Sequence, residues 1–143
     1  MPLIRIVPSV IIAWLIYHAV ALAYGSEFEA NPTAILQKVA LSVPVVRQGY
    51  LQMSIGDLIT MLTVVTGFVE VLKASDFARV RAIDYLIIAL LFAASLIELL
   101  TLSIAQTSVF FFIVLALFLD LTVGYVVSLR VARRDLAIQQ LPL

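Results

Sequence analysis

Four apolar segments dominate the sequence, and each is close to the length that crosses a lipid bilayer. They cover residues 7–24, 54–72, 82–102 and 107–129. A hydrocarbon core of about 30 Å requires about 20 apolar residues in an α-helix. With 64% hydrophobic residues, the chain also falls outside the usual range of soluble domains. The sequence therefore predicts an all-α integral membrane protein, a single membrane domain over residues 1–143 built as an antiparallel bundle of four transmembrane helices.

Residue counts exclude several functional classes. Nine basic residues balance nine acidic residues, so no basic field is available to attract a nucleic-acid backbone. The absence of cysteine excludes disulfides, thiolate catalysis and sulfur-ligated metals, and a single histidine excludes a His-rich metal site within one chain. The sequence contains no nucleophile elbow, phosphate-binding glycine loop or metalloprotease motif. We therefore predict a protein that is not an enzyme, with acid–base chemistry on a lipid-soluble substrate as the exception, and that binds no cofactor, metal or nucleic acid.

The first apolar segment has a rival interpretation. Its end, Ala21-Leu22-Ala23, is typical of the small-residue site at which a secretory signal is removed. The segment is nevertheless long enough to span a bilayer and is interrupted only by Ser9 and His18. We interpret it as the first helix of the bundle.

The connection between the first two spans contains an amphipathic pattern. Asn31 is a favourable N-cap and Pro32 suits the first helical position, while Pro44 stops the run. Apolar side chains then recur at helical spacing on one face: Ile35, Leu36, Val39, Ala40 and Val43. This pattern predicts a short helix over residues 32–43 that lies in the membrane interface, with a re-entrant segment as the alternative.

The basic residues at the ends of the segments predict an orientation. Seven fall on one side of the predicted bundle and two, Lys38 and Arg47, on the other. The positive-inside rule places the larger group in the cytoplasm, so both termini are predicted to be cytoplasmic in the cell (inner) membrane. The larger group consists of Arg5, Lys73 and the predicted cytoplasmic anchors Arg79, Arg81, Arg130, Arg133 and Arg134.

Ionisable side chains inside the predicted spans are the candidate site residues, because each costs about 2.5–3.5 kcal/mol on insertion. His18, Asp57 and Glu98 fall roughly 5–9 Å from the outer ends of three helices. Together they predict a proton-accepting or cation-binding layer, since imidazole changes charge near neutral pH. The alternatives are structural: Ser54 and Asp57 match a capping box, and His18 and Glu98 can hydrogen-bond between helices.

Asp120 is predicted to be the deepest charge, roughly 18 Å from the outer end of its helix. It is a candidate for the same proton or ion site, and the alternative is a hydrogen-bonded or protonated acid in a packed helix interface. Glu70 precedes Lys73 by three residues, so a local ion pair explains it.

Two stripes of small residues predict where helices approach closely. One includes Gly56, Thr60 and Gly67, and the other includes Ala116 and Gly124 around Asp120. These stripes favour a non-catalytic accessory, assembly or interaction component of a membrane complex, whose partners are the lipid bilayer and either a second copy of the chain or another membrane protein. The alternative hypothesis is a small oligomeric proton- or cation-conducting channel that uses the intramembrane carboxylates.

Overall fold

The computed structural model describes residues 8–45, 49–76 and 82–139. The described part is mainly helical and contains one β-hairpin. In chain order the elements are α1 (Ile11–Tyr24), α2 (Ser26–Ala30), α3 (Pro32–Leu36), β1 (Val39–Val45), β2 (Gly49–Ser54), α4 (Ile55–Asp76), α5 (Ala82–Thr101), a 3₁₀ turn (Ser103–Ala105) and α6 (Ser108–Gln139).

The long helices coincide with the four apolar segments of the sequence. Two stretches are long and apolar enough to cross a membrane by length and composition, Ile55–Lys73 in α4 and Ser108–Val126 in α6. Two shorter apolar stretches, Ile11–Tyr24 and Leu86–Thr101, belong to α1 and α5. α6 continues beyond the predicted end of its segment as far as Gln139.

The predicted helix over residues 32–43 is wrong, and with it the purely α-helical fold class. The N-cap is as predicted, since the Asn31 side chain accepts a hydrogen bond from the Ala34 amide at 3.1 Å. The helix nevertheless ends at Leu36, and the chain continues as strand β1, which pairs antiparallel with β2.

Two competing periodicities explain this error. From Val39 onward the apolar residues also alternate at every second position, as Val39, Leu41, Val43 and Val45. A short apolar run fits either period, and β-branched valines favour the extended one. The re-entrant alternative also gives way to the hairpin.

Helix α6 is the centre of the bundle. It packs against α4, α5 and α1, and α1 packs in addition against α4. The largest fully buried side chains include Tyr17, Phe28, Phe110, Ile113 and Leu117. Phe28 comes from the short helix α2, which turns back under α1 after Gly25; the positive φ of 50° at Gly25 favours glycine.

Contacts made by the connecting segments show which helix ends lie together. The hydroxyl of Tyr17 in α1 donates to the carbonyl of Ile104 in the α5–α6 turn at 2.6 Å. The hairpin, the end of α1 and the α5–α6 turn therefore lie at one end of the bundle, here called the hairpin end. Ser9 and Lys73 meet at the opposite end.

Candidate functional site

The helical bundle has an apolar surface as well as an apolar core. Large apolar side chains cover its surface; Val64 is 67% exposed and Phe68 is 62% exposed. Some buried positions on the same helices carry polar groups, among them Thr63 at 2% and Ser95 at 0% exposure. Ionisable side chains that reach the interior belong to two groups, one containing His18 and Glu98 and the other containing Glu70, Lys73 and Asp120.

The first group, here called the hairpin-end cluster, consists of Trp14 and His18 on α1 and Ser95 and Glu98 on α5. His18 Nε2 lies 3.4 Å from Glu98 Oε2, and the two side chains are 26% and 23% exposed. The Trp14 and His18 rings stack with their centroids 4.1 Å apart. Two of the residues predicted from sequence are thus brought together across different helices.

The imidazole of His18 is held on several sides. Its Nδ1 lies 2.9 Å from the backbone carbonyl oxygen of Trp14, one helical turn earlier. The rings of Tyr17 and Phe110 each contact it edge-on, with centroids 5.9 Å away. The Tyr17 hydroxyl is itself engaged with the Ile104 carbonyl and with Thr107 Oγ1, at 2.6 and 2.8 Å. The ring orientation is therefore determined by packing and by one hydrogen bond.

Three polar atoms of the hairpin-end cluster are buried without a hydrogen bond among the described residues. They are Trp14 Nε1, Ser95 Oγ and Glu98 Oε2. The Glu98 atom is within ion-pair distance of His18, but the geometry is not that of a hydrogen bond. Buried polar atoms are normally paired, so this group is a candidate for binding a proton or a polar ligand.

The second group, here called the Lys73 cluster, consists of Ser9, Glu70, Lys73 and Asp120. Lys73 Nζ donates to Ser9 Oγ at 2.6 Å and to Glu70 Oε1 at 2.9 Å. Glu70 also accepts the Ser9 backbone N–H, so it caps the turn that leads into α1. Asp120 interacts electrostatically with Glu70 and Lys73, and its Oδ2 is buried without a hydrogen bond in the described part of the chain. Glu70 is the carboxylate that pairs with the Lys73 ammonium group, at 2.9 Å.

Asp57 belongs to neither cluster. Its Oδ2 accepts hydrogen bonds from the Ser54 amide at 2.9 Å and the Ser54 hydroxyl at 2.7 Å. The Asp57 amide donates back to Ser54 Oγ at 3.1 Å. This reciprocal capping box occupies the exposed start of α4. Asp57 and Thr60 also line a depression of about 320 Å³ between α3, α4 and α6.

The predicted small-residue positions have different surroundings. A Cβ atom added to Gly56 would lie 3.0 Å from Val109 Cγ2, whereas one added to Gly67 meets nothing within 4 Å. Ala116 is partly buried against the core, and Gly124 is half-buried. Gly56 is therefore used inside the bundle, while the packing role of Gly67 stays a prediction for a contact outside it.

Three of the five predicted cytoplasmic anchors belong to α6. The last turns of α6, after the apolar stretch that ends at Val126, carry Arg130, Arg133 and Arg134, of which Arg133 is exposed. Arg79 and Arg81 fall outside the described residues.

The sequence interpretation did not select Ser9, Trp14 or Ser95 as site residues, because single polar or aromatic residues in apolar segments carry no pattern that identifies a partner on another helix.

Among the described residues, no three His, Asp or Glu side chains are grouped so as to hold a metal ion. Comparison of the chain with known protein families, curated proteins and solved structures finds no match.

Proposed function

We propose that this chain is an integral membrane protein whose four apolar helices cross the bilayer, with both termini on the cytoplasmic side of the cell (inner) membrane. Its role is non-catalytic: it is an accessory, assembly or interaction component of a membrane complex formed with a second copy or with another membrane protein. The observation that carries this role is the uncovered apolar face of the hairpin.

The surface of the bundle supports the membrane location. Only 22% of the apolar stretch of α4 and 28% of that of α6 are buried within the protein, whereas the core helix of a soluble protein is mostly buried. Exposed side chains on these stretches are large and apolar, as Val64 and Phe118 illustrate. Lipid chains can surround such an apolar surface without the unfavourable free energy that its exposure to water would carry.

The hairpin has one apolar and one more polar face. In the observed register Leu41 pairs with Met53 and Val43 with Leu51, which groups the apolar side chains; Ser42 pairs with Gln52 on the opposite face. β1 is exposed along its whole length and β2 along most of it.

An exposed hairpin of this kind needs a covering surface. A two-stranded hairpin without one is only marginally stable in water. The hairpin comes before the apolar stretch of α4 in the sequence. We therefore expect it to lie outside the hydrocarbon layer that surrounds the helices. A partner protein that packs on Val43 and Leu51 therefore accounts for both its stability and its exposed apolar face.

Gly67 supplies additional support. It lies on α4 between the exposed side chains Val64 and Phe68, with open space where a Cβ would stand. A small residue on a lipid-facing surface allows a second helix to approach closely.

Topology is tested by single cysteines, because the natural chain has none. Gln52→Cys on the hairpin should react with a membrane-impermeant maleimide added outside intact cells. Arg133→Cys should react only after permeabilisation, and Ala94→Cys on the exposed side of α5 should react poorly in both conditions. Equal labelling of the first two in intact cells contradicts the proposed orientation, and efficient labelling of Ala94→Cys contradicts a bilayer-embedded α5.

Assembly is tested by the mass of the purified protein in native-lipid nanodiscs. The double variant Val43→Ser, Leu51→Ser should release the partner or reduce the particle to a monomer. The matched control Ser42→Thr, Gln52→Thr alters the other face of the same strand pair and should leave the particle unchanged. A monomeric wild-type particle without bound protein overturns the proposed role.

A second function, proton or cation conduction by an oligomer, is favoured by one observation. Glu98 Oε2 and Asp120 Oδ2 are both buried without hydrogen bonds among the described residues, one in each cluster. Flux into vesicles that carry the reconstituted protein tests it, with Asp120→Asn and Glu98→Gln expected to abolish the flux. Absence of flux, or an unchanged rate in both variants, rules it out.

A further inference from the structure

We infer that His18 and Glu98 form a binding site for a single proton that joins α1 to α5 at the hairpin end of the bundle. Both residues belong to one chain, so the site is independent of any partner and goes beyond the proposed assembly role. Three observations support it: the hydrogen bond at Nδ1, the close approach of Nε2 to Glu98 and the burial of Glu98 Oε2.

The hydrogen bond at Nδ1 assigns the tautomer of His18. The Trp14 carbonyl oxygen, 2.9 Å away, can only accept a hydrogen bond. The hydrogen must therefore be on Nδ1, an assignment made from the hydrogen-bond network. A neutral His18 consequently presents the lone pair of Nε2 towards Glu98.

A proton between the two residues resolves the resulting repulsion. Without it, the Nε2 lone pair and an ionised carboxylate oxygen face each other at 3.4 Å. Glu98 Oε2 is buried and has no hydrogen-bond partner among the described residues, so no other donor compensates it. One proton makes the pair either imidazolium and carboxylate or imidazole and carboxylic acid, and both arrangements are attractive. The proton belongs to the pair and not to either residue alone.

The imidazole is surrounded mainly by aromatic rings. The Trp14 indole lies beside it, with ring centroids 4.1 Å apart and the ring planes tilted by 35°. From α5 the facing group is Glu98, and from α6 it is the uncharged ring of Phe110. The other titratable group in contact is Tyr17 on α1, whose hydroxyl donates to the Ile104 carbonyl. Within the described residues, no lysine or arginine forms an ion pair with Glu98.

Loss of the proton weakens the contact between α1 and α5. Among the long helices, α5 packs chiefly on α6, whereas α1 packs on α4 and α6. The His18–Glu98 pair is therefore a polar link across the face of α6, next to Phe110. Deprotonation makes this link repulsive.

Nuclear magnetic resonance of the full-length protein in lipid nanodiscs, labelled with ring-¹⁵N histidine, tests the site directly. The chain has one histidine, so the two ring signals need no assignment by mutation. We expect Nδ1 to stay protonated across the titration. Loss of the proton should appear as one step. It is seen at the Nε2 signal if the pair is imidazolium and carboxylate, or in the carboxyl infrared band removed by Glu98→Gln if the pair is imidazole and carboxylic acid, and the signal of the other group should shift at the same midpoint. The proposal is overturned by a deprotonated Nδ1, by unrelated midpoints for the two groups, or by a pair that carries no proton anywhere from about pH 5 to 8, the range in which histidine ordinarily titrates.

Fluorescence of Trp14 gives a second measurement, because it is the single tryptophan and stacks on the imidazole. The emission should show one pH step in the wild type. In Glu98→Gln its midpoint should move by at least about one pH unit, a tenfold change in proton affinity. Glu29→Gln, which removes an exposed carboxylate from α2, is the matched control and should leave the step in place. An identical midpoint in folded Glu98→Gln contradicts the shared proton; if that variant does not fold, the wild-type titration still decides.

Discussion

Replacement of Gly56 by alanine is expected to destabilise the protein, although alanine is the better helix former. A Cβ at this position would lie 3.0 Å from Val109 Cγ2, 3.2 Å from the Leu36 carbonyl oxygen and 3.4 Å from Leu36 Cβ. The carbonyl belongs to the backbone of α3 and cannot rotate away. Overpacking costs about 1–3 kcal/mol and the gain in helix propensity is about 1 kcal/mol, which leaves a net loss of about 1 kcal/mol at the middle of that range.

The same substitution at Gly67 is the control, because it lies on the same helix. A Cβ there meets nothing within 4 Å, so Gly67→Ala should gain about 0.5–1 kcal/mol from reduced backbone entropy in the unfolded chain. The two variants should therefore differ by about 2 kcal/mol with opposite signs. Reversible denaturant unfolding, followed by far-ultraviolet circular dichroism in a detergent that keeps the protein monomeric, measures both. A Gly56→Ala variant as stable as the wild type, or a shift of both variants in one direction, refutes the reasoning.

Three further substitutions are predicted to lower the free energy of unfolding in the same assay. Tyr17→Phe leaves the Ile104 carbonyl without the hydrogen bond it accepts at 2.6 Å, a loss of about 1–2 kcal/mol. Asp57→Ala removes the carboxylate that accepts the Ser54 amide and hydroxyl at the start of α4, and wild-type stability would contradict a capping role. Lys73→Met leaves Glu70 without its cation and should lower the free energy of unfolding by about 3 kcal/mol. This is the lower end of the range for breaking a buried ion pair, because the Lys73 side chain is 25% exposed. Adding Glu70→Gln should restore part of that loss.

The helices and their caps were predictable because their signals are local. The apolar segments locate α4, α5 and α6 within one residue of their observed starts. The Asn31 cap and the Ser54-x-x-Asp57 pattern depend on residues two or three positions apart, so the backbone geometry that they require is already encoded in the sequence. The hairpin was missed because Val39 and Val43 fit the helical period as well as the strand period.

The clusters were only partly predictable, because they depend on how the helices pack. Glu70 and Lys73 are neighbours on one helix, but Ser9 is 64 residues from Lys73 and reaches it only through the packing of α1 on α4. Asp120 joins them through the contact of α6 with α4. Hydropathy gives the depth of each charge along its helix but not its rotation towards a neighbour, which side-chain packing sets.

The spacing of the two clusters bears on which function the bundle performs. His18 lies on α1 and Ser9 in the turn that precedes it, nine residues earlier, which corresponds to about 13–14 Å at the rise of a helix. The buried hydroxyls of Thr63 and Thr66 lie at intermediate height on α4, but each donates its hydrogen to a carbonyl of its own helix, that of Ile59 or Leu62. These hydroxyls can accept a hydrogen bond but have no free hydrogen to pass on, so they do not form a proton relay in this geometry. Conduction would therefore require water between the clusters, whereas an assembly role requires no connection between them, and the observed geometry favours the latter.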